Sequence, residues 1–252
     1  MRECTVGQEG KSEDAVYEEL MKEREKLAIC GILVAIDAGH GSGPVWNPGS
    51  GRGIEGVDSS GNSYNEYDIN WKIANKLINE LNKVNIIFSF NTRDGITNVD
   101  FTTRINNIMK RGGRPADLVV SIHGDAGDVN KNGIAILYHS GTRKKDFNGN
   151  YSKEFAEYFM NIFLDKYPSV QIIAVSSEFY AKIPNLSILT GNSETNYPPA
   201  ILIEIGFMKN PIEVDRLTNP IKQDELVKAI ADSIVDYVVN KCGRQGSNLR
   251  RH

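Results

Sequence analysis

Three short apolar runs limit what this chain can fold into: Ile32–Asp37 (ILVAID), Asp117–Ile122 (DLVVSI) and Ala200–Ile205 (AILIEI). Each is too short for a stable helix and is apolar at neighbouring positions, so both of its faces need cover. That pattern belongs to buried strands of a parallel sheet rather than to half-exposed antiparallel ones. Helical periodicity fills the gaps between them. Ile69, Ile73, Leu77 and Leu81 recur every four residues and predict a helix from about Asn65 to Lys83. Leu226, Ile230, Ile234 and Val238 predict another near the end. Further strands are expected at Asn85–Phe90 and Gly133–Tyr138, and helices near Asp100–Arg111 and Ser152–Lys166. Asn210-Pro211-Ile212-Glu213 carries a capping residue, an N-terminal proline and a glutamate at the capping-box position. Strands alternating with helices predict an α/β fold, a single domain with a mostly parallel twisted sheet flanked by helices, spanning residues 31–240.

The flanks differ in composition. Residues 1–30 are strongly charged, with a weakly amphipathic helix expected over Glu13–Leu27. The polar, basic residues from 241 to 252 predict a disordered tail. The whole chain of 252 residues has 29 Lys+Arg against 32 Asp+Glu, a balance without the basic excess that tracks nucleic-acid phosphates. No run approaches the roughly 18 consecutive apolar residues of a membrane span. The first residues are charged where a secretion signal carries its apolar stretch, so no signal peptide is visible. Cys4, Cys30 and Cys242 cannot all pair and lack CxxC spacing, which argues free thiols over a disulfide framework.

In open α/β sheets the chemistry collects beyond the carboxyl ends of the strands. Here ILVAID runs into Ala38-Gly39-His40-Gly41, DLVVSI into His123-Gly124-Asp125, and AILIEI holds Glu204 beside Gly206. Two of only four histidines therefore stand at matching strand ends. Histidine and carboxylate converging there can build a metal site, and equally can be hydrogen-bonded structural groups. Gly39–Gly43 is glycine-rich, but it fits neither GxxxxGK[ST] nor GxGxxG, so no nucleotide loop is expected.

Four local patterns, IDAGHG, NEYDINWKIANKL, SIHGDA and ILIEIGFMKNP, occur in this order across residues 31–240. Together they resemble the zinc-dependent N-acetylmuramoyl-L-alanine amidases with a phosphorylase/hydrolase-like catalytic domain. The resemblance implies a Zn²⁺ ion held by His40, Glu66 and His123, with Glu204 as the catalytic carboxylate. It implies cleavage of the amide between N-acetylmuramic acid and L-alanine, with peptidoglycan as the partner and the cell wall as the place of action, extracellular or periplasmic. Asp125 stands where asparagine is common in that family. A related zinc peptidase or deacylase, or a silent wall-binding module, are the competing readings. Phage lysin, autolysin and sporulation hydrolase all remain open. With no signal peptide visible, phage-type release and a truncated chain are both compatible with action at the wall.

Other residues carry plainer expectations. His139 reads as a surface or structural histidine, Arg104 as half of a structural ion pair, and Trp71 as core. Asp37 either supports the metal ligands from behind or caps a turn. Arg143–Lys145 reads as a solvated loop. Two long loops are candidate walls of a substrate groove. Gly43–Ser63 contains Trp46 and Arg52; Ser176–Pro199 contains Tyr180, Asn192 and Tyr197.

Overall fold

The computed structural model describes residues 31–43, 51–140, 147–180, 186–191 and 196–242. The expected N-terminal helix, the tail beyond Cys242, Trp46, Asn192 and the basic run Arg143–Lys145 lie outside the described residues. The chain runs β1 (Ile32–Ala38), a small hairpin of β2 (Glu55–Val57) and β3 (Ser63–Asn65), α1 (Glu66–Leu81) and β4 (Ile87–Asn91). It continues through α2 (Phe101–Lys110), β5 (Leu118–Asp125), β6 (Ile134–Tyr138), α3 (Phe147–Lys166) and β7 (Ile172–Ser176). The short helices α4 (Ser177–Tyr180) and α5 (Ser187–Thr190) precede β8 (Ala200–Phe207), α6 (Pro211–Thr218) and α7 (Pro220–Tyr237). A π-helical turn, Val238–Cys242, extends the last helix.

Six strands form one sheet in the order β4-β1-β5-β8-β6-β7. All neighbours are parallel except β6 and β8, which are antiparallel, so β6 and β7 run opposite to the rest. The carboxyl ends of β1, β5 and β8 therefore open on one edge. Alternate residues of each central strand serve the two faces, as a strand period of two dictates. Val34, Ile36, Val120, Ile122, Ile201 and Ile203 face the cluster built by α1, α3 and α7. Leu33, Ala35, Val119, Ala135 and Leu202 face α2, α5 and the buried Tyr197. Both faces are dry, which is why these strands carry no polar alternation until they reach the open edge.

The stretch expected to be a loop between Gly43 and Ser63 contains β2 and the hairpin turn and runs into β3. Its turn is tied by the Asp58 carboxylate, which accepts from Ser60 N, Asn62 N and Asn62 Nδ2. The helix at Asn210 is capped on one side only. Asn210 Oδ1 accepts from Ile212 N at 3.0 Å, while Glu213 turns away to pair with Arg216 at 2.7 Å. A second cap, Asn219, accepts from Ile221 N and Lys222 N and separates α6 from α7.

Candidate metal centre and catalytic site

Asp37, near the end of β1, is buried and organises the ground beneath the site. Its carboxylate accepts from Thr92 Oγ1 at 2.5 Å, Arg104 Nη1 at 2.7 Å and Ser121 Oγ at 2.8 Å. Burial pushes the carboxyl up, but the Arg104 guanidinium and these hydrogen bonds outweigh it and hold the pKa at about 2. Asp37 thus caps no turn, and Arg104 forms the expected structural ion pair. Arg104 also donates to the Ala38 carbonyl at 2.7 Å and the His40 carbonyl at 2.6 Å. His40 has a left-handed backbone (φ 59°), a conformation costly for a residue with a Cβ. The arginine clamp on its carbonyl, together with Gly39 N bonded to Ile122 O at 2.9 Å, stabilises that turn.

Glu66 opens α1. Asn65 occupies the N-cap position, but its side chain makes no capping hydrogen bond. The hairpin does the anchoring instead: Glu66 N donates to Ile54 O at 2.9 Å, and Ile54 N returns a bond to Glu66 Oε2 at 3.0 Å. Oε1 accepts from Gly124 N at 3.0 Å and Asn70 Nδ2 at 3.2 Å. With both oxygens held, the carboxylate cannot rotate away. His123, on β5, follows Ser121 on the same face of the strand.

These elements bring His40, Glu66 and His123 together, one ligand atom from each lying within 4.8 Å of the others. His40 Nε2 is 3.2 Å and His123 Nδ1 3.3 Å from the same oxygen, Glu66 Oε1. The rings meet edge to face, with centroids 4.8 Å apart. Glu66 is sealed at 1% exposure, while each imidazole retains 19%, so the centre opens to solvent on the histidine side. Burial raises the Glu66 carboxyl, but the adjacent His123 and His40 rings, when protonated, carry it far below the usual carboxylate range.

His40 Nδ1 lies 3.0 Å from Gly51 O. A carbonyl only accepts, so Nδ1 carries the proton, and a neutral His40 aims the bare lone pair of Nε2 at a carboxylate oxygen. Lone pair against anion is repulsive unless a cation or a second proton lies between them. The donor set therefore fits a metal ion, with Gly51 O orienting the ring as backbone carbonyls do for metal-bound histidine.

Glu204 is the partner of His123 across β5 and β8. Between His123 and Asp125 the register slips by a bulge, a device common beside active sites, and Gly124 N turns toward Glu66 there. Glu204 Oε2 is enclosed and has no hydrogen-bond partner among the described residues. Burial first, then the charges of Glu66 and Asp125, push its carboxyl well above the ordinary value. This buried carboxyl thus stands on the strand next to the metal-fitting triad.

A sequence model of the N-acetylmuramoyl-L-alanine amidases matches residues 34–236. The chain belongs to this amidase family. The N-acetylmuramoyl-L-alanine amidase of Clostridium difficile 630 is 29% identical, with a TM-score of 0.65 over 84% of this chain and 98% of that one. The catalytic domain of CwlV, an amidase of Bacillus (Paenibacillus) polymyxa var. colistinus, superposes with a TM-score of 0.62 at 24% identity, over 83% of this chain and 99% of that one. Among curated proteins, YqiI of Bacillus subtilis is 25% identical over 209 residues, 83% of this chain and 86% of that protein. The amidase reading of the sequence holds: the protein is a hydrolase of the amide between N-acetylmuramic acid and L-alanine in peptidoglycan. Among the described residues, no helix is long and apolar enough to cross a membrane.

The remaining sequence-level candidates divide. His139 is buried, so it is structural and not a surface residue. Trp71 packs against the core and lies under Arg93, 4.8 Å from its centroid. Tyr197 is buried with its hydroxyl on Ile188 O, so it supports the fold rather than a groove. Tyr180 behaves differently. Its hydroxyl donates to Asp125 Oδ2 at 2.5 Å, at the rim of the centre.

Proposed function

We propose that this amidase works with one zinc ion held by His40, Glu66 and His123, and that Glu204 carries the protons. The observation that supports the reading most is the arrangement of two imidazole nitrogens around Glu66 Oε1, one of them with its lone pair exposed. Two neutral imidazoles and a carboxylate are a recurrent donor set for catalytic zinc. Bound there, zinc supplies Lewis acidity, polarising the scissile carbonyl and acidifying water.

The chain's own residues do the rest. Glu66, fixed at both oxygens, keeps the donor set in place without consuming binding energy to order it. Glu204 Oε2 takes a proton from the attacking water as the new C–O bond forms at the lactyl carbonyl. As the C–N bond breaks, the same carboxyl returns that proton to the alanine nitrogen, leaving a carboxylate on the muramic acid and a free amine on the peptide. A carboxyl raised by burial holds a proton more tightly than an exposed one, which favours its accepting the proton in the first half of the reaction. Peptidoglycan lies outside the cytoplasmic membrane, so the site of action is the wall. Zymography on purified cell wall, with and without chelator and with analysis of the released ends, tests the reading. New muramic carboxylates and alanine amines that vanish on chelation and return with zinc are expected. Undiminished cleavage after metal removal would contradict it.

A further inference from the structure

Tyr180 reaches the centre from an unexpected direction. β7 runs opposite to β5 and β8, so its carboxyl end lies away from the catalytic edge. From α4 at that end, the half-buried Tyr180 ring packs on the sheet face lined by Ala135, Leu137 and Leu202, the face that carries Glu204. Its hydroxyl ends on Asp125 Oδ2 at 2.5 Å, two residues beyond His123. Asp125 is itself fixed, its Oδ1 accepting from Gly127 N at 3.0 Å and its carbonyl from Met208 N at 2.8 Å. Glu204, the cross-strand partner of His123, stands on that same face.

That hydrogen bond fixes which way the hydroxyl faces. The single phenolic proton is committed to Asp125, so the oxygen offers only lone pairs to anything else nearby. Burial, the Asp125 bond and the neighbouring carboxylates also keep the phenol protonated at any working pH. An oriented acceptor beside a proton-carrying carboxyl matches the one donor in the scissile bond, the amide N–H.

We propose that Tyr180 is a substrate-contacting residue whose hydroxyl oxygen, held by Asp125, accepts the N–H of the scissile amide. The inference rests on the reading of Glu204 as proton carrier. Pinning that N–H turns the developing nitrogen lone pair away from Tyr180 and toward Glu204, from which the proton must come. No proton passes through the tyrosine. Its contribution is orientation of the leaving nitrogen, and a misplacement of about 1 Å at such a point can cost on the order of 10²-fold.

The test uses the full chain and a soluble N-acetylmuramoyl-L-alanyl peptide. Tyr180→Phe keeps the ring and removes the oxygen. The expected result is a kcat lower by about 10- to 100-fold, with metal content and melting temperature unchanged and KM within about two-fold. Asp125→Ala releases the hydroxyl and should lower kcat comparably. The double variant should be no worse than the poorer single one, because the two residues act as a unit. Wild-type kcat in Tyr180→Phe overturns the proposal, as do losses that multiply in the double variant. A fall that tracks lost metal or a lowered melting temperature reduces Tyr180 to a structural latch. Glu204→Gln assayed in parallel separates the two ideas. Full activity there overturns both, whereas an inactive Glu204→Gln beside an unaffected Tyr180→Phe overturns only the tyrosine's role.

Discussion

His123 on β5 and Glu204 on β8 are direct partners across two parallel strands, with the sheet's bulge immediately beyond them. Side chains at one level of neighbouring strands share a face. A candidate metal ligand and a candidate proton carrier are thereby held side by side by backbone hydrogen bonds rather than by a loop. The arrangement is only as good as the space around it, and one glycine controls that space.

Gly39 packs against the His123 imidazole so closely that a Cβ there would overlap the ring. Its backbone is not left-handed, so the constraint is purely the close approach. Gly39→Ala should leave the fold intact and push His123 off its position. Competition titration against a chromophoric chelator should then show zinc affinity weaker by at least about 10-fold, the scale of a disturbed ligand orientation. Unaltered affinity would mean that His123 does not bind the metal.

Asp37 and Arg104 make a stability prediction. A carboxyl depressed from 3.8 to about 2 contributes stability that is complete above the unfolded value and disappears as pH falls through the folded one. About 2 kcal/mol should therefore be lost between pH 4.5 and 2, read from urea midpoints. Arg104→Ala strands the buried carboxylate and should cost about 3–5 kcal/mol at pH 7. An unchanged midpoint in that variant would refute the clamp.

The N-terminal segment supports a third prediction. The family match begins at residue 34, and β1 at Ile32. Deleting residues 1–28 should leave specific activity on cell wall within a few-fold. A loss of orders of magnitude in a folded protein would show that the segment shapes the substrate groove.

Much of this architecture is written in the sequence, and the parts that are not have identifiable causes. β1, β5 and β8 are legible because both faces are dry, which leaves uninterrupted apolar runs. β7 is an edge strand, mostly half-exposed, and has no such run to betray it. The β2–β3 hairpin is held by the Asp58 turn and by Ile54–Glu66 bonds, not by a hydrophobic pattern. Nothing local marks β6 and β7 as reversed, because strand direction is decided by what the connections span. His40, His123 and Glu204 stand at strand ends, where chemistry is sought. Glu66 shows only through its resemblance to a family motif, since a glutamate opening a helix is ordinary. The Tyr180–Asp125 bond joins residues 55 apart through the reversed strand, and no spacing rule foresees it.

The central claim is a division of labour between two glutamates, and one paired measurement tests it: zinc content and turnover of Glu66→Ala and Glu204→Gln, purified alike. Glu66→Ala should lose zinc and activity together, because it removes a ligand. Glu204→Gln is nearly isosteric but cannot accept a proton at neutral pH. It should retain about one zinc per chain while kcat falls by roughly 10²–10⁴-fold, the usual contribution of a general acid–base group. A Glu204→Gln protein without zinc would make Glu204 a ligand, and one that cleaves cell wall at the wild-type rate would contradict its role as proton carrier.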